Sequence, residues 1–310
     1  MSEQFLAEIK SDDEDVRYKA WAMAEQMEPD VIPELSSLLL DKDPGVRKAA
    51  GEALKNVVHS VGKDIDAAAM AANAGRPDDP GAKNKRQGIV DQLLSLLDGK
   101  RDQIEKATAL RHLSLIATAD DVPTISKGVG DEDLKEEVVF CLERIPGKTA
   151  EQALLSALPA ATDDFKPRIL AALGHRRADE AMPACLEAMK SLDSTIAMAA
   201  MKAVGRIGGR VGGEIPWPSS DGLSDWQKIE FTDSLLRFAD GQVERGAPDQ
   251  AWPIYKQMLD REEEHLQCAA IVGLASINTA QAAAAIFPKL SSDDHKVRIT
   301  AQKAWDAMAG

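Results

Sequence analysis

Five histidines, three cysteines and a run of glycines are the residues of this chain best suited to chemistry. A metal centre needs His, Cys, Asp or Glu side chains converging from facing elements. Glu262-Glu263-Glu264-His265 and Asp293-Asp294-His295 gather such side chains in sequence. Both runs stand just before long apolar-periodic segments, where acids complement the free N–H groups of a helix start. No metal ligands are therefore assigned to them. His59, His112 and His175 are followed by Ser60, Leu113 and Arg176. Cys141, Cys185 and Cys268 lie far apart without a CxxC pair and read as free thiols in a reducing compartment. Gly208, Gly209, Gly212 and Gly213 hint at a phosphate loop, but no strand pattern precedes them and no GK[ST] follows. No carboxylate stands alone in an apolar setting that would raise its pKa. GxSxG, HExxH and Cys-His arrangements are missing from the sequence. The expectation is no catalytic residue and no cofactor.

The elements that would have to position any site follow a beat of about 30 residues. From Val16, apolar or small residues come at +4, +7, +8 and +11: Ala20, Met23, Ala24 and Met27. The same frame fits Val46, Glu105, Leu134, Phe165, Ile196, Phe231, Leu266 and Val297. Position +4 is alanine in six of these nine segments, and position −3 is acidic in seven. Position +1 is basic in six, among them Arg17, Arg47 and Arg298. The acid suits a helix N-cap, and the base four residues on suits a pair along one face. A shorter apolar segment precedes each longer one, such as Val31 to Leu40 and Ala282 to Leu290. A hairpin that buries its apolar face only against its neighbours forms a solenoid. The fold predicted is all-α: an α-solenoid, a superhelix of about nine helical hairpins running as a single array over residues 1–310.

The phrases VIPELSSLLLDKDPGVRKAAGEALKNV and AAAAIFPKLSSDDHKVRITAQKAWDAM carry an apolar first helix, a D-x-x-V-R opening and an alanine-rich second helix. They resemble HEAT repeats of the short bacterial kind. The resemblance implies a non-catalytic scaffold whose second helices line a concave, partner-binding face. It also brings enzymes into view. HEAT-like deoxyhypusine hydroxylases hold iron through His-Glu dipeptides, and no histidine here is followed by glutamate. Bilin lyases use short HEAT-like repeats, which leaves a lyase-type or chromophore-handling protein as the alternative function, with no residue of this chain matched to it.

Two segments break the beat. Residues 60–85 are expected as an insertion loop between the second and third units, with Lys83, Lys85 and Arg86 as a small basic cluster. Residues 208–223 replace the first helix of the seventh unit, since four glycines with Pro216 and Pro218 disfavour a helix there. Trp217, between those prolines, either fills the gap left by the missing helix or stands out as an anchor for a partner.

A net charge of −14 disfavours phosphate backbones, so nucleic acid is excluded as a general partner. No stretch is apolar enough to cross a bilayer, and MSEQFLAEIKSDDED has no signal core, so a cytoplasmic location is expected. The +6 position of each longer helix lies opposite the core stripe. It reads Ala22, Glu52, Arg111, Phe140, Ala171, Lys202, Arg237, Val272 and Lys303. Bases mixed with apolar residues predict a groove for an acidic, partly apolar protein or peptide. Arg111, Lys202 and Arg237 would meet the acids, Phe140 and Val272 would fill apolar pockets, and Trp217 would assist. The sequence leaves partner identity and oligomeric state open.

Overall fold

The computed structural model describes the backbone of residues 1–73, 80–209 and 215–309, and their side chains apart from residues 62–83. The described residues form helices joined by turns, with no strand among them. They fall into two compact units, Met1–Ala157 and Leu158–Gly310. The boundary lies inside the fifth predicted hairpin, between its two helices.

The first unit holds α1 (Ser2–Ile9), α2 (Glu14–Ala22), α3 (Ile32–Ser37), α4 (Pro44–Asn73) and α5 (Pro80–Ser95). It continues with α6 (Gln103–Ile116), α7 (Val122–Ile125), α8 (Lys135–Arg144) and α9 (Lys148–Ala157). The longer helices α2, α4, α6 and α8 stack in succession, while α3 meets α5 and α7 meets α9. In the second unit the longer helices are α10 (Lys166–His175), α12 (Ser194–Ile207), α13 (Asp225–Glu244), α15 (Glu264–Ile277) and α17 (His295–Ala309). They too stack in succession, backed by α11 (Met182–Ala188), α14 (Pro248–Leu259) and α16 (Ala280–Ile286). This is the α-solenoid arrangement that the repeat predicts.

The core frame holds at Val46, Ala50, Ala53, Leu54 and Val57, which are all buried. Leu134 with Val138, Cys141, Leu142 and Ile145 is buried in the same frame. In the first repeat Met23 departs from it: α2 ends at Ala22, and Met23 is turned out, 54% exposed. The conserved-looking charges split into two tasks. The acid at −3 caps: Asp43 Oδ1 accepts from Gly45 N at 2.6 Å and Asp102 Oδ1 from Ile104 N at 2.8 Å. Three arginines at +1 bond backbone carbonyls, where the i, i+4 spacing predicts a pair with that acid. Arg17 Nη1 donates to Ser11 O at 2.6 Å and Arg47 Nη1 to Asp41 O at 2.7 Å, and Arg298 Nη1 donates to Ser292 O. The guanidinium fork thus reaches carbonyls of the preceding turn, which no intrahelical N–H satisfies.

The described parts of the expected insertion loop over 60–85 are helical. α4 continues to Asn73 and α5 begins at Pro80; Gly75 to Asp79 lie outside the described residues. Ile65-Asp66-Ala67-Ala68-Ala69-Met70 is rich in strong helix formers, which explains the extension. The basic cluster is not a solvated contact patch either. Lys85 Nζ donates to Glu25 O at 2.7 Å. Arg86 Nε donates to Ile116 O at 2.9 Å, and its guanidinium lies 3.4 Å from Asp121. Lys83 lies outside the described side chains.

Candidate partner-binding face

The free face must come from the longer helices, because their opposite stripes are buried in the stack. In the first unit Arg111 projects from α6 and Phe140 from α8. Phe140 is 36% exposed, with the Arg144 guanidinium 4.7 Å from its ring centroid. Arg111 lies 3.3 Å from Glu137. In the second unit Lys202 pairs with Glu230, and Arg237 Nε donates to Asp233 Oδ2 at 2.6 Å. That bond, with Asp240 and Glu230 nearby, pushes the Arg237 pKa up from its already high value. All three predicted bases therefore meet an acid of the chain itself. The expectation that they wait for an acidic partner loses its ground. Asp233 sits four residues before Arg237, so this pair was visible in the spacing.

Val272 on α15 is 57% exposed, as predicted. Trp217 is not a projecting anchor. It is half-buried, and its ring meets Phe231 and Phe238 edge-on at centroid distances of 6.0 and 5.7 Å. The indole fills the place of the missing first helix, and Trp217 leaves the set of candidate contacts.

Arg237 and Val272 flank a cleft of about 760 Å³ between α13 and α15, with Thr300 of α17 at its rim. Asp240 and Glu244 continue the α13 wall, and Cys268, Ala269 and Gly273 continue that of α15. The floor includes Tyr255, which comes from α14 behind. The ring reaches this depth because residue 273 is glycine: a Cβ there would sit 2.3 Å from the Tyr255 ring. The Tyr255 hydroxyl donates to Asp240 Oδ1 at 2.6 Å, and burial with this bond raises its pKa well above the usual phenol value. Sequence reasoning missed Tyr255 and Asp240. The available signal was Gly273, a missing side chain at a core position of its helix.

The chemistry-bearing residues do not converge. Among the described residues no group of three or more His, Cys, Asp or Glu side chains could hold a metal ion. Glu263 is held down to about 2, first by Arg261, which bonds it at 2.6 Å. Asp294 accepts from Lys296 N at 2.8 Å and Val297 N at 3.0 Å, as a helix cap does. Burial pushes Cys141 and Cys185 up to about 12, so both thiols stay protonated. Among the described residues no helix is long and apolar enough to cross a membrane.

Residues 2–87 match the family described as HEAT repeats. The match covers the first predicted repeats, and the remaining described residues share their helical-hairpin fold. No curated protein sequence matches it. Two solved karyopherin structures share the fold. Kap121p bound to the SUMO protease Ulp1p superposes with a TM-score of 0.54 at 13% identity, over 99% of this chain and 37% of that one. Kap121p bound to the extreme C-terminus of the protein phosphatase Cdc14p gives 0.53 at 12% identity, over 99% and 38%. The chain thus spans little more than a third of the karyopherin chains it matches. Human deoxyhypusine hydroxylase in complex with glycerol gives a TM-score of 0.41 at 17% identity, over 74% of this chain and 99% of that one.

Proposed function

We propose that this HEAT-repeat chain is a non-catalytic protein-interaction scaffold that grips its partner on the free face of its longer helices. One observation carries the reading: the α13–α15 cleft of the second unit, open beside an exposed Val272. A groove with an apolar wall and a few placed polar groups is the usual form of a recognition site. Most of the shifted ionisable groups are helix caps, surface pairs or thiols deep in the core, which supports a non-catalytic role. The Kap121p structures on the same fold were solved with protein partners, which supports the partner class for this chain as well.

The test is site-specific photo-cross-linking in cells. A benzophenone amino acid at Val272 should trap a partner protein, and the same group at Glu187, exposed on α11, should not. Equal capture at both sites, capture at Glu187 alone, or capture at neither overturns the reading.

A further inference from the structure

The cleft's charge identifies the kind of segment it takes. We infer that the second unit docks a basic, amphipathic segment of another protein, with its cation at Asp240 and its apolar side chains on α13 and α15. The inference rests on the scaffold reading above and reverses the acidic partner that the sequence suggests.

Three carboxylates, Asp233, Asp240 and Glu244, line the cleft against one guanidinium, Arg237. Arg237 is engaged by Asp233. Glu244 lies 3.7 Å from Arg177, but both side chains are more than half exposed, so water screens that pair heavily. Asp240 differs from both: the Tyr255 hydroxyl donates to it and fixes the carboxylate without cancelling its charge. Arg237, one turn earlier, feels the Asp240 charge but is bonded to Asp233. The Asp240 carboxylate is exposed, oriented above a buried phenol, and open to a cation from outside.

The apolar part is equally specific. Val272 stands across the cleft. Along α13, Trp226 is 60% and Ile229 67% exposed, and helical periodicity puts them on the same face as Asp233 and Asp240. Fourteen residues separate Trp226 from Asp240, which at about 1.5 Å per residue is a span of roughly 21 Å. The occupant therefore places a lysine or arginine about 20 Å from an apolar residue, a distance that roughly six extended residues cover.

The test uses the full chain and two fluorescent peptides, one alternating leucine with lysine and one alternating leucine with glutamate, followed by anisotropy near physiological salt. The lysine peptide should bind and the glutamate peptide should not. Asp240→Asn keeps an acceptor for Tyr255 while removing the charge, and should weaken lysine-peptide binding severalfold. Trp226→Ala and Val272→Arg should each weaken it about tenfold or more. Glu187→Gln removes the same charge elsewhere and should change nothing. Binding of the glutamate peptide, or a Glu187→Gln loss equal to that of Asp240→Asn, overturns the inference. A cross-link at Val272 to an acidic segment would overturn it too, while leaving the scaffold reading intact.

Discussion

The two units hold their neighbouring helices by different means. In the first, buried polar side chains reach between repeats. Arg86 ties α5 to Ile116 O and to Asp121, whose carboxylate also accepts from Thr118 N at 2.8 Å. Arg101 bonds both Ser37 Oγ at 2.9 Å and Glu105 Oε1 at 3.0 Å, while Glu105 Oε2 accepts from Asp102 N. In the second unit, helices approach until only glycine fits. A Cβ on Gly174 would meet Ala203 Cα at 2.8 Å, and one on Gly205 would meet Ser234 O at 2.6 Å. One on Gly209 would meet Gly241 Cα at 3.0 Å. The tight set centres on α12 and α13, where a first helix is missing and Trp217 stands in. Polar staples fix register through directed bonds; glycine crossings fix it through shape. In the second unit the close approach at Gly273 also brings the Tyr255 ring from α14 to the floor of the cleft.

Breaking a staple should have the largest effect. Arg86 and Asp121 keep 13% and 6% side-chain exposure, so Arg86→Ala leaves a nearly buried carboxylate and strands Ile116 O. A loss of about 3–5 kcal/mol is expected on chemical unfolding, with faster amide exchange in α5 and in the turn after α6. Arg86→Lys should rescue little, because an ammonium cannot hold both acceptors in the same fork. Full rescue by lysine would show that charge alone is what matters.

Acid should act next, and on the same unit. Burial, aided by the charge of His59, lowers His112 from 6.5 to about 4. The folded state thus resists protonation where the unfolded chain accepts it. Stability is intact above pH 6.5 and falls as pH drops toward about 4, by up to about 3 kcal/mol. His112→Leu should flatten the unfolding free energy over that window. An unchanged slope would place the acid sensitivity elsewhere.

The glycine crossing ranks third. Gly205→Ala drives a methyl into backbone atoms of Ser234, which cannot rotate away, and should cost about 1–3 kcal/mol. Gly130→Ala in the first unit meets nothing within 4 Å and has an ordinary φ, so it should be near neutral. If both are neutral, α12 and α13 slide freely and the contrast between the units weakens.

Much of this was legible in the sequence, and the limits were physical. Val46, Ala50, Ala53, Leu54 and Val57 revealed a buried stripe because a solenoid core is local: each repeat needs only its neighbours. Pro216 and Pro218, next to Gly208, Gly209, Gly212 and Gly213, marked the missing helix because the two residue types together disfavour one. The extension of α4 was only partly legible: Ile65 to Met70 suits a helical turn or two, but Gly75-Arg76-Pro77 just after it is a strong turn signal. The acids beside Arg111 and Lys202 were not legible. Glu137 and Glu230 lie on the next helix in the stack, and a pattern read along one helix cannot show a pair between two. The Tyr255–Asp240 bond was hidden for the same reason.

The smallest expected effect tests the one device that both units share. Asp43, Asp102 and Asp193 each accept a backbone N–H two residues on, at 2.6, 2.8 and 2.7 Å. Asp43→Ala should cost about 1 kcal/mol. Asp43→Asn keeps the acceptor and loses the charge, so it separates the bond from the helix-dipole contribution and should recover most of that loss. Glu263 occupies the same repeat position in the second unit but bonds Arg261 instead of capping α15. Its depressed pKa stabilises the fold above the ordinary carboxylate value of 4.5, and that contribution fades as pH falls through about 2. Asp43→Ala should therefore lower stability equally at neutral and higher salt, because a cap bond is short-ranged. Glu263→Gln should lose its effect as salt screens the exposed pair. Equal salt responses would mean that the acid at this position acts everywhere through charge, and that the cap geometry is incidental.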